Sequence, residues 1–181
     1  MGFYTKNGGY IGTGRIAIRS GVHNLIATQF LGLVDELFAF TSFTFTSPNE
    51  DPFAPSSSDI TGQSAYSNTT WASDTTYFNV QNGIQYFKIP RTRSYRITAK
   101  GPPGKSTSGS SYTGHGGIVR GTFNLSKGDI LAILVGHTSP THTSSYNFGG
   151  GAGGTFVATV PIVGVNGSAT PLLVAGGGST V

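Results

Sequence analysis

The sequence predicts an all-β fold, an antiparallel sandwich or barrel, on two observations. Runs of β-branched, aromatic and aliphatic residues recur at intervals of roughly 8–12 residues, and Asn-Gly, Pro and Gly signals separate them without helical periodicity. The composition agrees, since charged residues make up only 10% of the 181 residues, whereas helical bundles and coiled coils are rich in Ala, Glu, Lys and Leu. The chain also has 12 Phe and 8 Tyr, which excludes the aromatic-poor class of disordered proteins.

Residues 1–40 are predicted to be an extended N-terminal docking arm. The stretch is Gly-rich and aromatic at its start and apolar further on, yet it is too short to enclose a core of its own. Each large apolar side chain withdrawn from water contributes roughly 1.5–3 kcal/mol, whereas ordering the backbone costs about 1–2 kcal/mol per residue. We therefore expect the arm to be ordered only against other subunits, through ten interface residues: Phe3, Tyr4, Tyr10, Ile11, Ile16, Ile18, Val22, Leu25, Ile26 and Phe30.

The second predicted unit, residues 41–181, holds the strands. Alternating phenylalanines over 38–46 predict a strand, and the proline-rich stretch 47–70 predicts a long loop containing one turn of helix. Further strands are predicted over 77–80, 84–89 and 95–100, two within 116–136, and one each within 154–163 and 170–178. Alternation within the strands places most of the core at Phe43, Phe45, Phe87, Tyr95, Ile97, Phe123, Ile130, Leu131, Ile133, Val135, Phe156, Leu172 and Val174.

The motifs that resemble catalytic or cofactor sites fail on their context. Residues 99–106 fit a relaxed phosphate-binding loop, but two prolines remove backbone donors and no helix can follow. Residues 149–154 fit a dinucleotide fingerprint, yet a strand-forming run follows in place of the required helix. His137 and His142 lie in a polar loop with no third ligand near in sequence, and the chain has no Cys. We therefore predict no enzymatic activity, no cofactor and no metal site.

Charge is distributed unevenly along the chain. Residues 1–87 carry three bases and six acids, whereas residues 88–181 carry eight bases and one acid. Such a basic stretch can attract anionic glycan, lipid or nucleic acid, and it can equally be a solvated strand face that keeps the domain soluble. Both interpretations stay open for the six clustered bases, which are Lys88, Arg91, Arg93, Arg96, Lys100 and Lys105.

From about residue 41 onward, the chain resembles the glycine-rich domains of bacteriophage virion structural proteins, and it is similar to the glycine-rich region of the anaplastic lymphoma kinase ectodomain. The matching pieces come in the family's order, over 43–46, 83–90, 94–101, 116–136, 149–158 and 171–178. The resemblance implies a jelly-roll sandwich of the tumour-necrosis-factor kind with polyglycine helices inserted in loops. Two departures modify it. Pro102 and Pro103 predict that the first inserted loop forms no glycine helix. The end at Val181 leaves the sandwich without its closing strands, so we expect either that another chain completes it or that the 181 residues belong to something longer.

The resemblance also implies a function. It predicts a virion protein on the tail or capsid surface, a tail fibre or appendage subunit that docks by residues 1–40 and displays its sandwich. The expected partners are copies of itself, a trimer by analogy with fibres, together with other virion proteins and a host-surface glycan. No membrane span and no nucleic-acid partner are expected. The alternatives are a glycan-binding adhesin module, using its loops, His115 and the basic strand, and a capsid decoration protein.

Overall fold

The computed structural model of the protein describes residues 2–4, 10–13, 38, 40–48, 54–104, 114–138, 151–164 and 166–179. These residues fall into two compact units that divide between Thr41 and Ser42. No helix among them is long and apolar enough to cross a membrane.

The described part of the first unit includes a short hairpin. Strand β1 (Gly2–Tyr4) pairs antiparallel with β2 (Tyr10–Thr13), and the register shifts between Phe3 and Tyr4. Four of the ten predicted arm residues belong to these two strands. The other six lie outside the described residues: Ile16, Ile18, Val22, Leu25, Ile26 and Phe30.

The second unit confirms the all-β prediction, because its described strands all pair antiparallel and its described α-helix has only five residues. Its elements are α1 (Ser57–Thr61), β3 (Phe78–Gln81), β4 (Ile84–Lys88), β5 (Arg93–Lys100), β6 (Ile118–Leu125), β7 (Ile130–Leu134), β8 (Thr155–Val160) and β9 (Thr170–Ala175). Single turns of 3-10 helix span Ser64–Tyr66, Trp71–Ser73 and Asn166–Ser168. Five strands form one sheet in the order β3-β4-β7-β8-β9, and β5 and β6 form a second sheet.

Local sequence explains two of the element boundaries. Asn82 and Gly83 both have positive φ, 50° and 75°, which is the backbone of the tight turn that joins β3 to β4. Helix α1 begins with a capping box, since the Ser56 hydroxyl accepts from the Asp59 N–H at 3.3 Å and the Asp59 carboxylate accepts from the Ser56 N–H at 2.8 Å. The one-turn helix predicted within 47–70 is therefore present.

The larger part of the core lies on one face of the five-stranded sheet, here called the inner face. A smaller cluster on the opposite face buries Tyr86, Ala132 and Val160. At the β3–β4 end, six aromatic rings pack with centroids 4.8–6.4 Å apart, mostly edge to face. At the other end, the β5–β6 pair lies against β8 and β9. The rings belong to Phe43, Phe45, Tyr66, Trp71, Phe78 and Phe87.

The strand predicted over 38–46 does not form, because residues 42–48 run without a strand ladder. A buried side chain takes the place of a neighbouring strand: the amide of Gln85 donates to the Thr46 carbonyl at 2.8 Å. The Tyr66 hydroxyl donates to the Gln85 side-chain oxygen and also accepts from the Thr46 N–H. Burial raises the pKa of Tyr66 to about 12.

The core prediction is wrong for Phe156 and Val174, which are 43% and 51% exposed. Their strand neighbours Val157 and Leu173 are buried instead and lie opposite each other in the register of β8 and β9. Because side chains alternate between the two faces of a strand, a phase error of one residue moves a whole apolar set to the other face.

Candidate functional site

The two sheets meet in a bundle of glycine-rich segments. Each segment continues a strand of the second unit, and the segments follow β5, precede β6, follow β7, precede β8 and follow β9. Antiparallel strands alternate in direction, so the ends of β5, β7 and β9 and the starts of β6 and β8 lie at the same end of their sheets. The segments, here called the glycine bundle, are 101–104, 114–117, 136–138, 151–154 and 176–179.

Hydrogen bonds recur every third residue in three segments of the glycine bundle, 101–104, 114–117 and 176–179. The N–H groups of Gly101 and Gly104 donate to the carbonyls of Gly117 and Gly114 at 2.8 and 2.9 Å. The N–H groups of Gly114 and Gly117 donate in turn to carbonyls at the two ends of 176–179. A β ladder repeats every second residue, whereas a polyproline-II helix has three residues per turn. These three segments therefore pack main chain against main chain in the manner of polyproline-II helices.

Only glycine fits at the centre of this packing. A Cβ added to Gly178 would lie less than 3.0 Å from the backbones of Gly114 and Gly104, a separation that real Cβ atoms essentially never show. A Cβ on Gly101 would meet the Gly176 carbonyl in the same way. The absence of side chains is thus what allows the segments to approach.

Residues 101–104, where the first inserted loop begins, belong to the bundle despite their two prolines. The rest of that loop, 105–113, lies outside the described residues, so the expectation that it forms no glycine helix stays a prediction. The Pro102 carbonyl accepts from the Gly178 N–H at 2.9 Å. Proline fixes φ near −65°, close to the polyproline-II value, so it suits a position where no N–H is required.

One hydroxyl joins the two sheets where the bundle begins. Thr155 is buried, and its Oγ1 donates to the Lys100 carbonyl at 2.7 Å and accepts from the Gly136 N–H at 3.0 Å. It therefore links the end of β5 to the chain leaving β7. Sequence reasoning missed this residue, because a threonine that opens a strand carries no signal that its hydroxyl is buried.

The five clustered bases that the structure describes do not share one face. Lys88 lies on β4, in the five-stranded sheet, and lines a shallow cavity together with Ile130. Arg93 lies over the Tyr95 ring, 5.0 Å from its centroid, and Arg91 is in the connection between β4 and β5. Lys105 lies outside the described residues. Of the six, the structure brings together Arg96 and Lys100.

Arg96 and Lys100 share the exposed face of the β5–β6 pair, here called the outer face. Arg120 of β6, which sequence reasoning left out, lies directly opposite Thr98 and therefore between them. Its Nε donates to the Thr98 hydroxyl at 3.1 Å. All eight residues of the outer face are exposed: Ser94, Arg96, Thr98, Lys100, Ile118, Arg120, Thr122 and Asn124.

One histidine of the predicted polar loop, His137, is described, and it contacts a hydroxyl. The Nε2 of His137 lies 2.6 Å from the Ser47 hydroxyl, and His142 lies outside the described residues. Within the described ranges, no three His, Cys, Asp or Glu side chains lie close enough to hold a metal ion.

No protein-family model matches the chain.

Proposed function

We propose that the chain is a non-enzymatic structural subunit of a bacteriophage particle, a tail fibre or appendage component. The observation that carries the proposal is the glycine bundle, since the resemblance to glycine-rich virion domains implies polyglycine helices that extend the strands of a sandwich. Five segments continue strands of the two sheets, and three of them, 101–104, 114–117 and 176–179, show a three-residue hydrogen-bond repeat that supports this proposal.

The strand order supports the jelly-roll arrangement that belongs to this proposal. Strands β4 and β7 are neighbours in one sheet, while β5 and β6, which lie between them in sequence, pair in the other. Such nested pairing across two sheets is a feature of jelly-roll sandwiches. β8 pairs with β7 in the same sheet, so the proposed arrangement applies to the β4–β7 half of the domain.

Docking through residues 1–40 is the second part of the proposal. A two-stranded hairpin such as β1–β2 is marginally stable at best in water, and a third strand or a packed surface stabilises it. Particle proteins or copies of this chain, in a trimer, supply that surface in the proposed assembly.

Particle composition tests the proposal. Purified particles of the virus that encodes the chain should contain it at a fixed ratio to the other structural proteins, and immunogold labelling should place it on the tail. Labelling over the capsid surface would indicate a decoration protein instead. Particles that are complete and infectious without the chain would contradict the proposal.

A truncated chain tests the docking step separately. Residues 42–181 and the full chain are expressed in cells that produce particles lacking the native protein. We expect the full chain to be incorporated and the truncated chain to remain in the soluble fraction with its β circular dichroism signal intact. Equal incorporation of both would show that residues 1–40 are not the anchor.

A further inference from the structure

We propose that the outer face of the β5–β6 pair binds an acidic polysaccharide, a polymer of carboxylated or sulfated sugars. Three bases lie on this face at regular intervals, and none of its eight residues is acidic. The inference does not depend on the chain being a virion component, since binding is a property of the isolated protein.

The sheet register sets the spacing of the charges. Arg96 and Lys100 are four residues apart on β5, so their Cβ atoms are separated by about 13 Å at about 3.3 Å per residue. Arg120 lies opposite Thr98, halfway between them and one strand away. Neighbouring bases are therefore about 8 Å apart in a zigzag along the face. A repeating anionic polymer can contact all three at once, whereas a single small anion cannot.

The polar residues between the bases suit a hydroxyl-rich ligand. Ser94 donates to the side-chain oxygen of Asn124 across the two strands, and Thr98 accepts from the Nε of Arg120. This last bond orients the guanidinium and leaves its terminal nitrogens as the remaining donors. Sugar hydroxyls can both donate to and accept from such serine, threonine and asparagine groups.

The outer face lacks the feature that single-stranded nucleic acid requires most. Proteins that bind single strands without sequence preference stack bases on aromatic side chains, which contribute about 1–3 kcal/mol per base. The outer face has no aromatic residue, because Tyr95 and Phe123 lie on the opposite face, directly across from each other in the register. The charges therefore favour an acidic glycan over a nucleic acid.

Binding of the purified full chain to immobilised alginate tests the proposal, with neutral dextran and a 20-nucleotide oligothymidylate as comparison ligands. One variant replaces the three outer-face bases (Arg96→Gln, Lys100→Gln, Arg120→Gln). A matched variant removes the same charge elsewhere (Lys88→Gln, Arg93→Gln, Lys127→Gln). Thermal melting of both variants shows whether they remain folded.

We expect the native chain to bind alginate in a salt-dependent manner and not to bind dextran. The outer-face variant should lose roughly tenfold or more in affinity, because hydrogen bonds to charged groups contribute more than neutral ones. The matched variant should lose less than about twofold, as expected for screened charges outside the contact. Equal losses of affinity in both variants would show that binding depends only on the net charge of the protein, and this would overturn the proposal. Absence of alginate binding, or tighter binding to the oligothymidylate, would also overturn it.

Discussion

Replacing Gly178 by alanine is the sharpest test of the glycine bundle. The added Cβ would lie 2.7 Å from the Gly104 nitrogen and closer still to the Gly114 carbonyl, whereas ordinary contact begins at 3.4 Å. The segments must separate, and this breaks the bonds that Gly178 makes to Pro102 and Ala152, each 2.9 Å long. A buried polar group left unpaired costs about 1–3 kcal/mol. We therefore expect a loss of about 3 kcal/mol in the free energy of unfolding.

Gly176 provides a matched control in the same segment. A Cβ there meets nothing within 4 Å, so Gly176→Ala should leave stability unchanged or raise it by about 0.4–1 kcal/mol through the unfolded chain. At about 2–4 °C per kcal/mol for a chain of this size, the first variant should melt about 6–12 °C below the native protein. Differential scanning calorimetry measures both values. Melting temperatures within 2 °C of each other, on the order of the smallest effect resolved, would refute close main-chain packing as the reason for these glycines.

Three further predictions follow from the buried groups and the sheet faces. Thr155→Val preserves shape but removes two hydrogen bonds, one of them between the sheets, so chemical denaturation should show a loss of about 1–3 kcal/mol in the free energy of unfolding, and an unchanged midpoint would contradict the linking role. Burial raises the pKa of Tyr66 to about 12 in the folded protein. The contribution of its neutral hydroxyl to the free energy of unfolding should therefore be complete below about pH 10 and decline between about pH 10 and 12. Tyr66→Phe should not show this decline with pH. Val157→Ser should destabilise the domain far more than Phe156→Ser, and similar melting temperatures for the two variants would contradict the assignment of Val157 to the buried face of β8.

The strands were predictable wherever turn chemistry and alternation agree. The segments 84–89 and 95–100 end at proline or glycine signals, and the structure places β4 and β5 there within two residues. The phase of β8 and β9 was not predictable, since Phe156 and Val157 are adjacent and both apolar. Packing against the β5–β6 pair determines which face is buried. Leu173, the register partner of Val157, lies under β6, since a Cβ on Gly121 would be 3.5 Å from the Leu173 side chain.

Long-range packing explains the other misses. Trp71 and Tyr66 are among the most buried residues, yet Tyr66 lies in the predicted loop 47–70 and Trp71 directly follows it. Their burial depends on rings contributed by residues far along the chain. The basic outer face was half predictable. Alternation places Arg96 and Lys100 on one side of a strand, but adding Arg120 requires the register across the connection between β5 and β6, which composition does not fix.

The copy number of the chain in purified particles tests the central claim most directly. Particles are banded on a gradient and washed in about 1 M sodium chloride, which shortens the electrostatic screening length to a few ångströms and removes material held only by charge. They are then analysed by quantitative mass spectrometry. A structural subunit is predicted to remain at a fixed ratio to the other particle proteins before and after the wash. Loss of the chain in the wash, or a ratio that varies between preparations, would contradict the account.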